Sequence, residues 1–173
     1  MRFIIPMLLV FALPGSPRTA PDAPFSLTIV PTFNNGDGRI EMADKGARDF
    51  YVVLTNVSDK SQVAWETWNG WGYQGVSFEL TTSNGSKILI SKRQQDFTRN
   101  GPSTFLIPPG EHQIYAVKLD KSWEARPMVP KANETSIALK AIYEVPSTPE
   151  AGQYKVWVGH LESRSYNFVL RQW

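Results

Sequence analysis

Catalysis needs a few residue types at set spacings, and this chain of 173 residues offers few of them. It has two histidines, His112 and His160. Neither belongs to an H-E-x-x-H pattern, which sets two imidazoles on one helical face around zinc. Glu111 adjoins His112, but neighbours on a strand point to opposite faces. There is no cysteine, so thiol nucleophiles, cysteine–zinc sites and iron–sulfur clusters are excluded. No G-x-S-x-G elbow occurs. "NNGDGR" holds two glycines with no helix to follow, which is neither a phosphate loop nor a dinucleotide fingerprint. Glu66 and Glu79 lie on either side of an aromatic stretch, and a retaining glycosidase needs two carboxylates about 5.5 Å apart. Glu79, however, alternates with Ser77 and Thr81 on the solvent face of a strand. The expectation is a protein that is not an enzyme, with no catalytic residue, no metal site and no cofactor.

The aromatic stretch is the better candidate for function. "WETWNGWGYQGVSFEL" holds three of the six tryptophans, Trp65, Trp68 and Trp71, with Tyr73 after them. Asn69, Gly70 and Gly72 make the segment a loop. Each ring has about 150–250 Å² to bury. Four rings in water would exceed the few hundred Å² of apolar patch normal for a monomer. Either the loop caps the core, or Trp65, Trp68, Trp71 and Tyr73 form a ligand site; a mixed arrangement turns Trp71 inward and Trp68 outward. Sugar rings stack on indoles, and Glu66, Asn69 and Gln74 would then be a polar rim. Trp123 and Trp157 could pack at the same end, and Trp173 caps the last strand.

The elements that would carry this loop are strands. Phe25, Leu27 and Ile29 are apolar at alternate positions, and Val76, Phe78 and Leu80 alternate with Ser77, Glu79 and Thr81; Tyr115, Val117 and Leu119 alternate with Ala116 and Lys118, and Ile137, Leu139, Ala141 and Tyr143 share one face. "FYVVLTNV" reads as a central strand buried on both faces. "SNGS" signals a type I′ hairpin and Pro109-Gly110 a type II turn. "STPEAGQ" suits one turn of helix, and the final strand breaks near Glu162–Arg164. Seven or eight short strands with regular turn signals and no repeat predict an immunoglobulin-like Greek-key β-sandwich. Residues 25–173 form its single domain.

Residues 1–20 have the anatomy of a signal peptide: Arg2, an apolar run from Phe3 to Leu13, then small residues up to Ala20. The run is shorter than the ~20 residues of a membrane span. Export to the periplasm, cell envelope or exterior is expected, with no stable membrane span once the leader is removed. Arg2 and Arg18 leave with it, so 18 basic and 16 acidic residues become 16 of each. A neutral domain has no electrostatic case for nucleic acid. Lys87, Lys92, Arg93 and Arg99, the densest basic stretch, read as a solvated edge strand and loop. Sequons at Asn56, Asn84 and Asn133 matter only in a pathway that glycosylates.

"LTNVSDKSQVAWETWNGWGYQGVSFEL", "FLIPPGEHQIYAVKL" and "LKAIYEVPSTPEAGQYKVWVGHLESRSYNFVL" resemble segments of small secreted proteins of planctomycete-type bacteria. The resemblance covers Phe50 to Leu170; it implies a sandwich fold and export and carries no activity. The strand, "N-x-S", aromatic loop and "P-G-E" turn also resemble the bacterial proteinase-inhibitor type of immunoglobulin-like domain. The expected function is a secreted binding or interaction module whose partner is an unknown protein or a polysaccharide. The alternatives are an inhibitor of a secreted protease, presenting Ser147–Gln153 or Asp96–Ser103, and a structural protein of the cell envelope.

Overall fold

Alternating apolar positions become alternating buried ones. In strand β1 (Phe25–Pro31), Phe25, Leu27 and Ile29 are buried, and in β5 (Val76–Thr82) so are Val76, Phe78 and Leu80. The structure, a computed structural model, describes residues 23–32, 40–42, 49–124 and 135–170. Residues 1–20, where a signal peptide was expected, "NNGDGR", Asn133 and Trp173 lie outside the described residues.

The remaining strands are β2 (Ile40–Met42), β3 (Phe50–Asn56), β4 (Gln62–Trp65), β6 (Lys87–Ile90), β7 (Thr104–Ile107), β8 (His112–Val117), β9 (Thr135–Val145), β10 (Gly159–Glu162) and β11 (Tyr166–Leu170). One short helix, α1 (Pro149–Gln153), follows β9. The protein is all-β. One sheet has the order β1-β3-β8 and a second the order β2-β11-β9-β5-β6, with β10 also on β9. A third pairs β4 with β7. All the named pairs are antiparallel except β2 with β11, where Ile40 stands beside Phe168.

The first two sheets meet through large side chains. Phe50 of β3 sets its ring edge-on to Phe78 of β5 at 5.2 Å and lies 5.6 Å from Phe168 of β11. Such ring pairs add about 0.5–1.5 kcal/mol each beyond the area they bury. Ile29, Val52, Leu54, Val117, Leu139 and Ala141 fill the same core.

Some details depart from the sequence reading. Eleven strands stand among the described residues where seven or eight were expected. β2 is three residues long and β4 four, too short for a periodic signal. β3 is central in its sheet, but its second face, with Tyr51, Val53 and Thr55, is half-buried, not buried. The β5–β6 turn is not type I′. Gly85 alone has positive φ, at 84°, the Gly85 amide donates to the Thr82 carbonyl and the Thr82 amide to the Ser86 carbonyl. That is a three-residue turn ending in a glycine bulge. The type II turn holds: Gly110 has φ 78° and the Glu111 amide donates to the Pro108 carbonyl at 3.1 Å.

The helical turn forms over the expected segment, with the Thr148 hydroxyl accepting from the Ala151 amide. β10 and β11 are one strand broken at residues 163–165. At the break the buried Ser163 hydroxyl accepts from the Ala141 amide at 2.9 Å and donates to the Arg164 carbonyl. It stands in for ladder bonds that the bend would otherwise leave unmade.

Asn56, at the end of β3, ties three segments together. Its Nδ2 donates to the carbonyls of Lys60 and Ile107 at 2.7 and 2.8 Å, and its Oδ1 accepts from the Ser58 amide and hydroxyl. This fixes the chain's turn from the first sheet into β4, and β4 delivers the aromatic loop.

Candidate functional site

The aromatic loop is built around Asn69, which is fully buried. Its Oδ1 accepts from the amides of Trp71 and Gly72, both at 3.0 Å. Its Nδ2 donates to the Ser103 carbonyl and hydroxyl, and its own carbonyl accepts from the Tyr73 amide. An asparagine that accepts from amides two and three residues on curls the chain without a helix. Gly72 is needed there: a Cβ at that position would lie 2.2 Å from the Glu66 carbonyl oxygen. Asn69 is therefore spent inside the loop and is not part of a polar rim. Gln74 likewise donates to the Lys92 carbonyl.

The four aromatic candidates go to three places. Trp65 is buried, between Trp71 at 5.9 Å and Tyr154 at 5.7 Å. Trp71 packs against the core beside it. Trp68 is 58% exposed. Tyr73 turns the other way, its ring edge-on to Phe97 at 5.5 Å and under the Lys92 ammonium at 4.4 Å. Trp65 and Trp71 thus form one unit, while Trp68 and Tyr73 each stand apart from it. Trp123 and Trp157 separate as well. Trp123 packs on Phe78 at 5.3 Å, whereas Trp157 stacks on Tyr143 at 5.9 Å.

Tyr73 opens onto a cleft of about 160 Å³. It is lined by β8 from Gln113 to Val117 and by Tyr73, Lys92 and Trp123, together with Thr67, Gly72 and Val76. Lys92 was expected in solvent. It is drawn in because the chain after β6 pairs with the segment after β8: Lys92 bridges to Trp123, the Arg93 amide donates to the Ser122 carbonyl, and the Glu124 amide to the Ser91 carbonyl. The Lys92 ammonium then lies 4.4 Å from the Tyr73 centroid and 5.7 Å from that of Trp123. Among the described residues no carboxylate is within ion-pair distance of it. Burial holds its pKa below the usual lysine range, and Asp120, farther off, opposes that shift. Nothing in the sequence marks Lys92 apart from Lys87. The signal is tertiary, in the Trp123 segment that reaches across to it.

Tyr115 carries the other polar group near the cleft. Its hydroxyl is buried beside the Tyr143 phenol, close enough for the two to interact but outside strict hydrogen-bond geometry. Burial first, then Tyr143 and Glu66, push its pKa well above the usual phenol value. Burial raises Tyr143 to about 12.

The charged groups lie elsewhere, on the outer face of the larger sheet. Lys87, Glu79, Lys140 and Glu162 form a ladder of alternating sign across β6, β5, β9 and β10, at 3.0, 3.5 and 2.8 Å. His160 adjoins it, 3.4 Å from Glu162 and 3.5 Å from Glu144. Glu79 faces outward in this ladder, with lysines on both sides. Among the described residues no group of three or more acidic or histidine side chains is arranged to hold a metal ion. Among them, too, no helix is long and apolar enough to cross a membrane.

Two packed sheets, antiparallel but for the β2–β11 pair, make an all-β protein, and among the described residues the cationic, aromatic cleft where the loop meets a sheet edge is a candidate ligand site. Comparison with protein-family models, curated proteins and solved structures finds no match to this chain.

Proposed function

We propose that the protein is an exported, non-catalytic binding module of immunoglobulin-like Greek-key topology, and that its ligand seat is the Tyr73–Lys92–Trp123 cleft. The strand order supports the topology. β1, β3 and β8 take the places of strands A, B and E, and β5, β6, β9 and β11 those of C, C′, F and G. Export is supported by the leader pattern of residues 1–20. The observation that carries the binding reading is the Lys92 ammonium, held between two rings on a cleft wall without a carboxylate partner. A half-buried charge with no ion pair has lost part of its hydration, and a ligand that supplies a carboxylate offsets that loss.

The site differs from a flat stacking platform. Trp65 and Trp71 are committed to the core, so the loop offers a ligand Tyr73 inside the cleft and Trp68 outside it. The inhibitor alternative is less well served. Ser147–Gln153 is largely helical, and Asp96–Ser103 is tied to the aromatic loop through Asn100 and Ser103.

The test is a titration of the mature chain, followed by tryptophan emission, with neutral and acidic polysaccharides and with peptides. Trp123 lines the cleft and reports occupancy. A saturable change that Tyr73→Ala abolishes supports the reading. A ligand whose signal survives Tyr73→Ala and Lys92→Met, or a complete lack of response, overturns it.

A further inference from the structure

One wall of the cleft is a sheet edge, and its hydrogen bonds can be assigned. Among the described residues β8 pairs with β3 and with no other strand. The Asn56 amide donates to the Glu111 carbonyl at 3.0 Å, continuing the register in which Thr55 faces His112. Antiparallel ladders alternate, so Gln113, Tyr115 and Val117 turn their backbone groups to β3. The N–H and C=O of His112, Ile114 and Ala116 point the other way. The opposite edge of β3 agrees: the Val57 amide donates to the Pro24 carbonyl, which puts Tyr51, Val53 and Thr55 in bonds to β1.

We infer that β8 takes up an extended segment of a partner protein as an added strand, and that Lys92 receives a carboxylate side chain of that segment. This rests on the cleft being the ligand seat. A row of outward N–H and C=O groups is a template for another chain. Edge strands are often blunted by charge, yet Ile114 and Ala116 are exposed and apolar. A peptide backbone matches the spacing of those groups, which sugar hydroxyls do not. Size agrees. A cleft of about 160 Å³ holds on the order of five waters. Pockets that enclose a whole small ligand start at about 300 Å³. The space suits one side chain of a strand that otherwise lies along the edge. Every second side chain of such a strand points to the same face, so one can enter while its neighbours stay out. Lys92 sets the sign of the group that enters.

The test is selection on the full mature chain from a displayed random library of peptides roughly eight residues long, about a strand's length. Enriched peptides are expected to lack proline, to alternate apolar residues, and to share one Asp or Glu. Lys92→Met should weaken the best of them about tenfold or more, the worth of a charge-assisted hydrogen bond. Ile114→Pro removes one outward N–H and should abolish binding at unchanged melting temperature, since proline is tolerated where an edge strand's N–H faces away. Ala116→Pro makes the same test if Ile114→Pro lowers the melting temperature. The Ile114 and Ala116 amides should gain protection from hydrogen exchange in the complex. An empty selection, peptides without an acidic residue, or full binding by both proline variants would overturn strand addition. If a polysaccharide binds and Tyr73→Ala abolishes it while the library yields nothing, strand addition fails and the cleft reading stands. If neither ligand binds, both fail.

Discussion

Replacing Asn69 with alanine should unlock the aromatic loop. The side chain accepts from the Trp71 and Gly72 amides and donates twice to Ser103, and it is fully buried. The Ser103 carbonyl keeps a second donor, the Glu66 amide at 3.1 Å. The main cost of Asn69→Ala therefore falls on two amides left without an acceptor. At roughly 1–1.5 kcal/mol net for each, with a smaller contribution from the lost Ser103 bonds, the variant should lose about 2–3 kcal/mol. At ~2–4 °C per kcal/mol for a domain of this size, melting should fall by about 5–10 °C. Asn69→Asp keeps both acceptor bonds but sets a carboxylate against the Ser103 carbonyl, and should lose a comparable amount. Ser103→Ala spares the Oδ1 bonds and should cost about 1 kcal/mol or less. Thermal unfolding by circular dichroism ranks the three. Tryptophan emission should shift red in Asn69→Ala as Trp71 leaves Trp65. A loss under 1 kcal/mol in Asn69→Ala, or a larger loss in Ser103→Ala, would refute this account of the loop.

Phe78→Ala removes the ring that touches both Phe50 and Trp123, and should cost about 3–5 kcal/mol in urea unfolding, with Phe78→Leu costing much less. Tyr115→Phe should change stability by less than about 1 kcal/mol, because the buried hydroxyl meets the Tyr143 phenol outside good hydrogen-bond geometry. The Lys87 ammonium, with Lys140, holds the Glu79 pKa below its ordinary 4.5, and Lys140 does the same for Glu162, in each case against burial. Lowered folded values mean that this stabilisation is present above 4.5 and is lost as pH falls through the folded values. Lys140→Met should therefore show a smaller drop in melting temperature between about pH 5 and pH 3, in low salt, than the parent chain.

Legibility in the sequence followed the length scale of each feature. β1, β5 and β9 were readable because burial on one face forces period-two alternation, and Phe78 or Leu139 cannot occupy the other face without exposure. The helical turn was readable from Thr148 and Pro149, whose preferences are local. β4 was not, since "QVAW" is held in place by β7, far along the chain, with Gln62 facing Ile107. β2 likewise depends on a parallel partner near the other end of the chain. The turn after β5 was misread because Asn-Gly fits two hairpin geometries, and the Thr82 and Ser86 bonds select the one with positive φ at Gly85 alone. At the site, the aromatic cluster was visible, and so was the arrangement with Trp71 inward and Trp68 outward, as one of the alternatives; the pairing of Trp71 with Trp65 and the turn of Tyr73 toward Lys92 were not. Asn69 and Lys92 act through partners distant in sequence, and their residue types alone suggest a polar rim and a solvated edge.

The bonds made by Asn56 also bear on where this chain can be produced. Asn56-Val57-Ser58 is a sequon, yet the amide nitrogen that would carry a glycan is the one bonded to Lys60 and Ile107. Oligosaccharide is attached to nascent chains, before such bonds exist. In a eukaryotic secretory host, a glycan there would hold the end of β3 away from β7, whereas Asn84, on an exposed hairpin, could carry one unharmed. Yield from such a host should recover with Ser58→Ala, which removes the acceptor signal while leaving the Asn56 amide nitrogen and its two carbonyl partners in place.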